Sequence, residues 1–393
     1  MTAFILGGVQ SDFARHLSRE GHELVDLVGE LVDGALAAAR IEATEVQTIH
    51  VGNAFGELFA GQGHLGAMPA TARGTLWGIP ASRHEAACAS GSVAILAAMA
   101  ELAAGIYDVA LVIGVEQERN VPGEQAARYL GAAAWAGHEG DGARFLWPHM
   151  FARIADAIDE RDGLSRVHLD AIAAKAFANA KGNQVAQTRT WSEPKENPVV
   201  DGWLRRSDCA QVTDGGAAIV LASPRFAQAW AASRGESLDQ LPRVLGWGHR
   251  TVGLPLEQKL ARRGALMFPH MADAVADARR RAGRSIADIA AYEVHDCFSV
   301  TEYLAIEHLG LGDPKRAIES GQTQRTGATP INSTGGLIGG GHPVGATGVR
   351  MVVDAAHQIR GTAGAAQIPN ARAIQTLNLG GSTATVVSLI VGA

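Results

Sequence analysis

Apolar residues in this chain alternate between short unbroken runs and longer stretches of helical period, the signature of buried strands joined by amphipathic helices. Ala3 to Gly7 predicts a strand, and His22 to Ala39 predicts a helix with acidic residues on its outer face. Val46 to Val51 predicts the next strand, closing on Gly52-Asn53-Ala54-Phe55. Residues 56 to 82 are rich in glycine and alanine and carry few charges, which suits helix and loop packed inside. Arg83 to Ser92 leads into an apolar helix from Val93 to Ala104, and the run Val109 to Ile113 reads as a buried strand ending at Gly114-Val115-Glu116.

The pattern changes from about residue 118 to 206, where charges, tryptophans and turn signals such as Asn197-Pro198 accumulate around helical periods at Phe151 to Asp159 and Val167 to Asn179. Sheet-like sequence resumes at Ala217 to Ala222 and again at Leu241 to Gly248. The expected organisation is a first half, residues 1–118 with 207–240, an inserted loop or lid domain, residues 119–206, and a second half, residues 241–393. The second half repeats the first. Glu42 to Phe55 lies over Ser285 to Phe298 without a gap, and Cys88-Ala-Ser-Gly91 matches Gly345-Ala-Thr-Gly348, each pair opening an apolar helix. Strands alternating with helices predict mainly parallel sheets in an α/β fold, with sites at the carboxyl ends of the strands. Cys88, Cys297 and His342 would then converge between the two copies.

Composition narrows the classes. The 393 residues are 47% hydrophobic, enough for a large core in two or three units. A net charge of −6 without a basic run leaves no footprint for nucleic acid. Three cysteines, 88, 209 and 297, are too few and scattered for a disulfide framework or a zinc cluster, so no metal site is expected and a reducing compartment is. The start lacks a basic n-region and the chain ends without a peroxisomal Ser-Lys-Leu address. A soluble cytoplasmic protein without membrane partners is expected.

Chemistry concentrates between Glu293 and Arg350. Three polar or titratable residues, His295-Asp296-Cys297, close an apolar strand, which core packing does not explain. Further on, His342 sits among glycines and Pro343 just before the helical run Val349 to Ile359, where backbone can crowd a ligand. The glycine run 335 to 348 lacks the strand and distal acid of a dinucleotide fingerprint. Cys88 precedes a helix, whose N-terminus favours a thiolate, so a thiol reactive well below about pH 8 is expected. Cys209 reads as structural.

Together, Cys88-Ala-Ser-Gly91, Asp208-Cys209 through Thr213-Asp214-Gly215, His295-Asp-Cys-Phe298 and Asn332 through Gly-His342-Pro-Val-Gly-Ala-Thr-Gly348 resemble the thiolases over essentially the whole chain. The branch is the one similar to the thiolase domain of sterol carrier protein. Ordinary thiolases carry Asn-Glu-Ala-Phe at the His295 turn and a second cysteine in a late Cys-x-Gly-Gly turn. Here that late turn is Asn378-Leu379-Gly380-Gly381, and the second cysteine is Cys297, as in the sterol-carrier branch. The resemblance implies the thiolase fold: two similar βαβαβαββ halves packed as a five-layered α-β-α-β-α core, with an inserted loop domain. It implies a ping-pong acyltransferase of the acetyl-CoA acetyltransferase or 3-ketoacyl-CoA thiolase type, acting in lipid metabolism such as fatty acid beta-oxidation. Coenzyme A would be a substrate and no cofactor would be permanently bound. Cys88 would be the nucleophile, His342 the group that keeps it ionised, Cys297 the acid/base and His295 a ligand of the enolate oxygen. The N–H groups of Cys88 and Gly380 would form the second oxyanion hole, and Met150, Phe151 and Phe298 would line the acyl or pantetheine tunnel.

The family forms dimers or tetramers, and some relatives work beside a small zinc-ribbon partner, a question the residues leave open. Two departures stand out. The turn after Ile113 reads Gly114-Val-Glu-Gln-Glu-Arg-Asn120, where the family often has a methionine soon after the glutamate, and Arg83-His84-Glu85 is more charged than the family's approach to the cysteine. Two rivals share the fold: a thiolase-like carbon–carbon lyase (aldolase), which lacks the cysteine pair, and a non-catalytic acyl-CoA or lipid-binding protein. Retention of Cys88, Cys297 and His342 favours the transferase.

Overall fold

A computed structural model describes residues 2–140, 142–191 and 196–393. In chain order, the first half starts with β1 (Ala3–Gln10), α1 (Leu24–Ala39), β2 (Thr48–Gly52), β3 (Ala81–His84), α2 (Ser90–Ala103) and β4 (Val109–Glu116). A long segment holding α3 (Leu146–Asp162) and α4 (Arg166–Ala180) precedes β5 (Gly215–Ala222). The second half runs β6 (Arg243–Thr251), α5 (Pro269–Ala282), β7 (Ala291–Val294), α6 (Ser299–His308), α7 (Thr347–Arg360), β8 (Ala373–Gly380) and β9 (Thr385–Gly392). Among the described residues no helix is long and apolar enough to cross a membrane.

The nine strands lie in the order β3-β2-β4-β5-β1-β6-β9-β8-β7, and this order is a mirror. In the first half β3, β2 and β4 pair parallel, while β5 runs against both β4 and β1. In the second half β7 and β8 pair parallel, while β9 runs against both β8 and β6. Each half therefore has a single reversed strand in an otherwise parallel set. A bridge between Tyr292 and Ile331 stands beside β7 where β3 stands beside β2. The halves join through two residue pairs only, Ala3 with Val244 and Phe4 with Arg243, so the sheet folds over at that seam.

Burial follows the apolar patterning. Leu27, Leu31 and Val32 of α1 cover the outer face of the first half. Met271 and Val275 of α5 with Val300 and Leu304 of α6 cover that of the second. Between them α2 and α7 share one core, Ile95, Ala98 and Met99 meeting Val349, Val352 and Val353. The result is the five-layered α-β-α-β-α arrangement, each such side chain contributing roughly 2 kcal/mol of burial. The two central helices touch at their N-termini through glycine. A Cβ on Gly91 would lie 2.7 Å from the Gly345 carbonyl, and one on Gly348 would lie 2.3 Å from the Ser92 nitrogen. The matched glycines of the repeat are thus what lets the two active-site turns approach.

The segment between β4 and β5 packs on the second half. Phe151 stacks on Phe298 at 4.6 Å between centroids, and the buried Lys175 of α4 pairs with Glu302 of α6.

Candidate active site

Cys88, His295, Cys297 and His342 each lie at the carboxyl end of a strand or just before a central helix. The Cys88 turn precedes α2 and is held locally: Ser90 Oγ accepts from Ala86 N at 2.9 Å and donates to the Ala87 carbonyl at 2.6 Å. Ala87 is left at φ +50°, a left-handed backbone that costs a non-glycine residue about 1 kcal/mol. Such strain next to Cys88 fits a turn built for position.

His295 follows β7 and is tied across to β8, its Nδ1 lying 2.9 Å from Asn378 Oδ1, while Asn378 Nδ2 donates to Ser92 Oγ at 2.9 Å. The next residue, Asp296, accepts from Leu337 N at 2.6 Å and so fastens this turn to the glycine loop. Gly336 must be glycine there, since a Cβ would meet the Asp296 carboxylate at 2.3 Å. His342 ends that loop. Its backbone N–H donates to Thr213 Oγ1 at 2.9 Å and its Nδ1 lies 2.7 Å from Thr347 Oγ1.

These supports bring Cys88 Sγ and one nitrogen each of His295 and His342 within 4.8 Å of one another. A thiol and two imidazoles at that spacing could also reach one soft metal ion. The two rings meet edge to face, 5.0 Å apart. Cys297 is buried with its sulfur 3.8 Å from Thr301 Oγ1, and it lines the same cavity of about 220 Å³ as Cys88 and His342.

Thr347 Oγ1 lies 3.2 Å from the Pro343 carbonyl and 2.7 Å from His342 Nδ1; with its proton on the carbonyl it accepts from His342 Nδ1–H and leaves Nε2 as a bare acceptor. Burial first, then the neighbouring His295 and Arg350, push His342 well below its ordinary value, so the ring is neutral and ready to take a proton. His295 is pushed down to about 4, mainly by burial. With Asn378 Oδ1 on its Nδ1, a neutral His295 presents Nε2 as an acceptor. It becomes a donor to an oxyanion when the Asn378 amide turns end for end, which the Ser92 hydroxyl allows because it can donate as well as accept.

Three expectations change here. Cys88 is not a resting thiolate: burial, then the charge of Glu118, push its thiol up to about 12, and α2 begins only at Ser90. The backbone N–H groups of Gly381 and of Cys88 itself reach the sulfur, beside the Gly380 expected at the second oxyanion hole. Met150 does not line the cavity, because α3 turns it toward a surface depression with Trp135 and Leu256, while Phe151, one position on, faces the sulfurs beside Phe298. Cys209, read as structural, lines the cavity as well, where Ala210 N donates to the Cys297 carbonyl at 2.8 Å. Glu118, buried to 1% exposure, also lines it and was noticed in the sequence only as a missing methionine.

Comparison with known proteins identifies the family. Residues 3–190 match the model described as thiolase, N-terminal domain, and residues 256–393 match thiolase C-terminal domain-like. An acetyl-CoA acetyltransferase of Methanothermobacter thermautotrophicus is 30% identical over 367 residues, covering 92% of each chain. Human sterol carrier protein 2 is 28% identical over 409 residues, covering 98% of this chain and 71% of that protein. Among solved structures, the Ltp2-ChsH2(DUF35) aldolase superposes with a TM-score of 0.80 at 21% identity, over 100% of this chain and 98% of that one. Matched at both ends and carrying the Cys88 turn and the His342 loop between its two halves, this chain belongs to the thiolase family.

Proposed function

We propose that the protein is a CoA-dependent acyltransferase that cleaves 3-oxoacyl-CoA thiolytically into acetyl-CoA or propionyl-CoA and a shortened acyl-CoA, and that runs the reverse condensation. The observation that carries this is the neutral His342 ring with Nε2 bare beside a protonated Cys88 thiol. As the sulfur attacks the 3-oxo carbon, its proton passes to His342 Nε2, so ionisation and attack are one event and no free thiolate is stored. The oxyanion that forms is met by the backbone N–H groups of Cys88 and Gly380. Carbonyl re-formation breaks the C2–C3 bond, and the departing enolate takes the proton of Cys297. The imidazolium of His342, now carrying Nε2–H, is a donor for the enolate oxygen.

The second half closes the balance. A new CoA thiol gives its proton to the Cys297 thiolate and attacks the acyl-Cys88 carbonyl. The thiolate of Cys88 leaves and recovers its proton from His342. Coenzyme A is thus substrate and acceptor, in keeping with a relative named acetyl-CoA acetyltransferase. The test follows loss of the magnesium-enolate absorbance of acetoacetyl-CoA and of longer 3-oxoacyl-CoAs on adding CoA. Cleavage that depends on CoA and on both Cys88 and Cys297 is expected. Cleavage that proceeds without an acyl acceptor would favour the lyase reading, and binding without turnover the lipid-binding one. A homodimer or homotetramer is expected, read by mass measurement in solution with and without a zinc-ribbon protein.

A further inference from the structure

The cavity beside Cys88 is apolar over most of its wall, formed by side chains such as Phe55, Leu130, Phe151, Phe298 and Val344. Glu118 breaks that wall. It is buried to 1% exposure, and its position is rigid because its own backbone N–H and that of Arg119 donate to Asp214 Oδ1 at 2.7 and 2.8 Å. Two backbone N–H groups reach its carboxyl, those of Val344 at 3.3 Å and of Thr213. Among the described residues no lysine or arginine forms an ion pair with it. Its acidic neighbours are Glu116, whose carboxylate is occupied by the Ala54 and Phe55 N–H groups, and Asp214. A carboxyl so poorly partnered is costly to bury, and its remaining hydrogen-bonding capacity opens on the cavity.

We propose that Glu118 is a substrate-recognition residue whose carboxyl hydrogen-bonds a hydroxyl or carbonyl oxygen on the acyl chain, so that oxygenated acyl thioesters are preferred to plain alkyl ones. The inference deepens the thiolase reading and rests on it for the identity of the thioester. Burial and its acidic neighbours Glu116 and Asp214 hold the carboxyl well above its ordinary range, which favours the protonated form, a group that both donates and accepts. A neutral partner, a hydroxyl or carbonyl, suits such a group. An alkyl chain laid there would leave it unpaired, and sites built around a hydrogen bond reject analogues that lack the matching group far better than apolar pockets reject extra bulk.

The experiment compares two 3-oxoacyl-CoAs of equal length, one with a chain hydroxyl and one with a methyl in its place. Wild type, Glu118→Gln and Glu118→Met are assayed for thiolysis, with melting curves to show that each variant is folded. Wild type should favour the hydroxylated thioester by about tenfold or more in kcat/KM, Glu118→Gln should stay within about threefold of that ratio, and Glu118→Met should abolish or invert it. Equal use of both thioesters by wild type, or an unchanged ratio in Glu118→Met, would overturn the proposal. Should wild type turn over neither, the thiolase reading fails separately. The affinities of the matched non-cleavable thioether analogues, measured by calorimetry for wild type and Glu118→Met, then decide recognition: a wild-type preference lost in the variant supports it, and equal affinities overturn it.

Discussion

The two halves of this molecule are the same frame with different loops, and the difference separates scaffold from chemistry. Gly52, Asn53 and Ala54 at the end of β2 occupy the places that His295, Asp296 and Cys297 occupy at the end of β7. In the first half the helix α2 crowds this corner: a Cβ on Gly52 would lie 2.7 Å from Gly91 Cα, and Asn53 spends its side chain on Val115 O and Gly56 N. In the second half the equivalent corner is open enough for an imidazole and a thiol. The helix starts divide the labour in turn. A strained, serine-locked turn before α2 holds Cys88, and a glycine loop before α7 holds His342. Duplication supplied two approximate copies of one strand end, and packing allowed only one of them to become polar.

That asymmetry can be broken in order of severity. Cys88→Ala should lower thiolysis by roughly ten-thousand-fold or more, because no other thiol can take its place in the turn. Its measurement is the acetoacetyl-CoA assay. His342→Asn should cost about a hundred- to a thousand-fold in kcat. Cys297→Ala should cost a similar amount in carbon–carbon cleavage while exchange of labelled CoA into a saturated acyl-CoA survives, since that exchange needs acyl transfer to Cys88 but no enolate protonation. Loss of exchange together with cleavage would remove Cys297 from its acid/base role.

The symmetric contact of the central helices should respond in stability rather than chemistry. Gly348→Ala places a methyl 2.3 Å from Ser92 N and should destabilise the fold by about 3 kcal/mol, whereas Gly264→Ala, with nothing near it, should leave the melting temperature almost unchanged. Thr347→Val removes the acceptor that fixes the His342 tautomer. About a tenfold fall in kcat/KM with an unchanged melting temperature is expected, and an unchanged rate would show that the tautomer is fixed by something else.

The smallest effect is in pH. Cys209, like Cys88, is pushed up from its ordinary 9.0 to about 12, chiefly by burial. A group whose folded value is raised adds stability that is complete below the unfolded value and is lost as pH rises through the folded one. Stability should therefore fall above about pH 9, by about 1 kcal/mol per pH unit for each such thiol, and Cys209→Ser should flatten the slope seen by denaturant titration. For the same reason iodoacetamide should modify Cys88 slowly near neutrality and faster as pH rises toward 12.

Much of this protein was legible in its residues. Runs such as Val109 to Ile113 and Ala217 to Ala222 are apolar throughout because both faces of their strands are covered, and that is a property of local composition. The repeat was legible because the glycines at 91 and 348 have no substitute at a helix contact this close. The convergence of Cys88, Cys297 and His342 followed from that repeat. β3 was not legible: Ala81 to His84 is a half-exposed edge strand with polar and charged residues, so no apolar signal marks it.

What only the tertiary structure decided is direction and environment. Helix phase turns Phe151 to the cavity and Met150 away. Whether Cys88 rests as thiol or thiolate depends on burial and on the carboxyls of Glu118 and Glu116, groups distant in sequence whose influence exists only once the chain is folded. Residue identity and spacing determined which groups could do chemistry. Their protonation states and partners were set by packing, because desolvation and hydrogen-bond geometry belong to the assembled site and to no single stretch of chain.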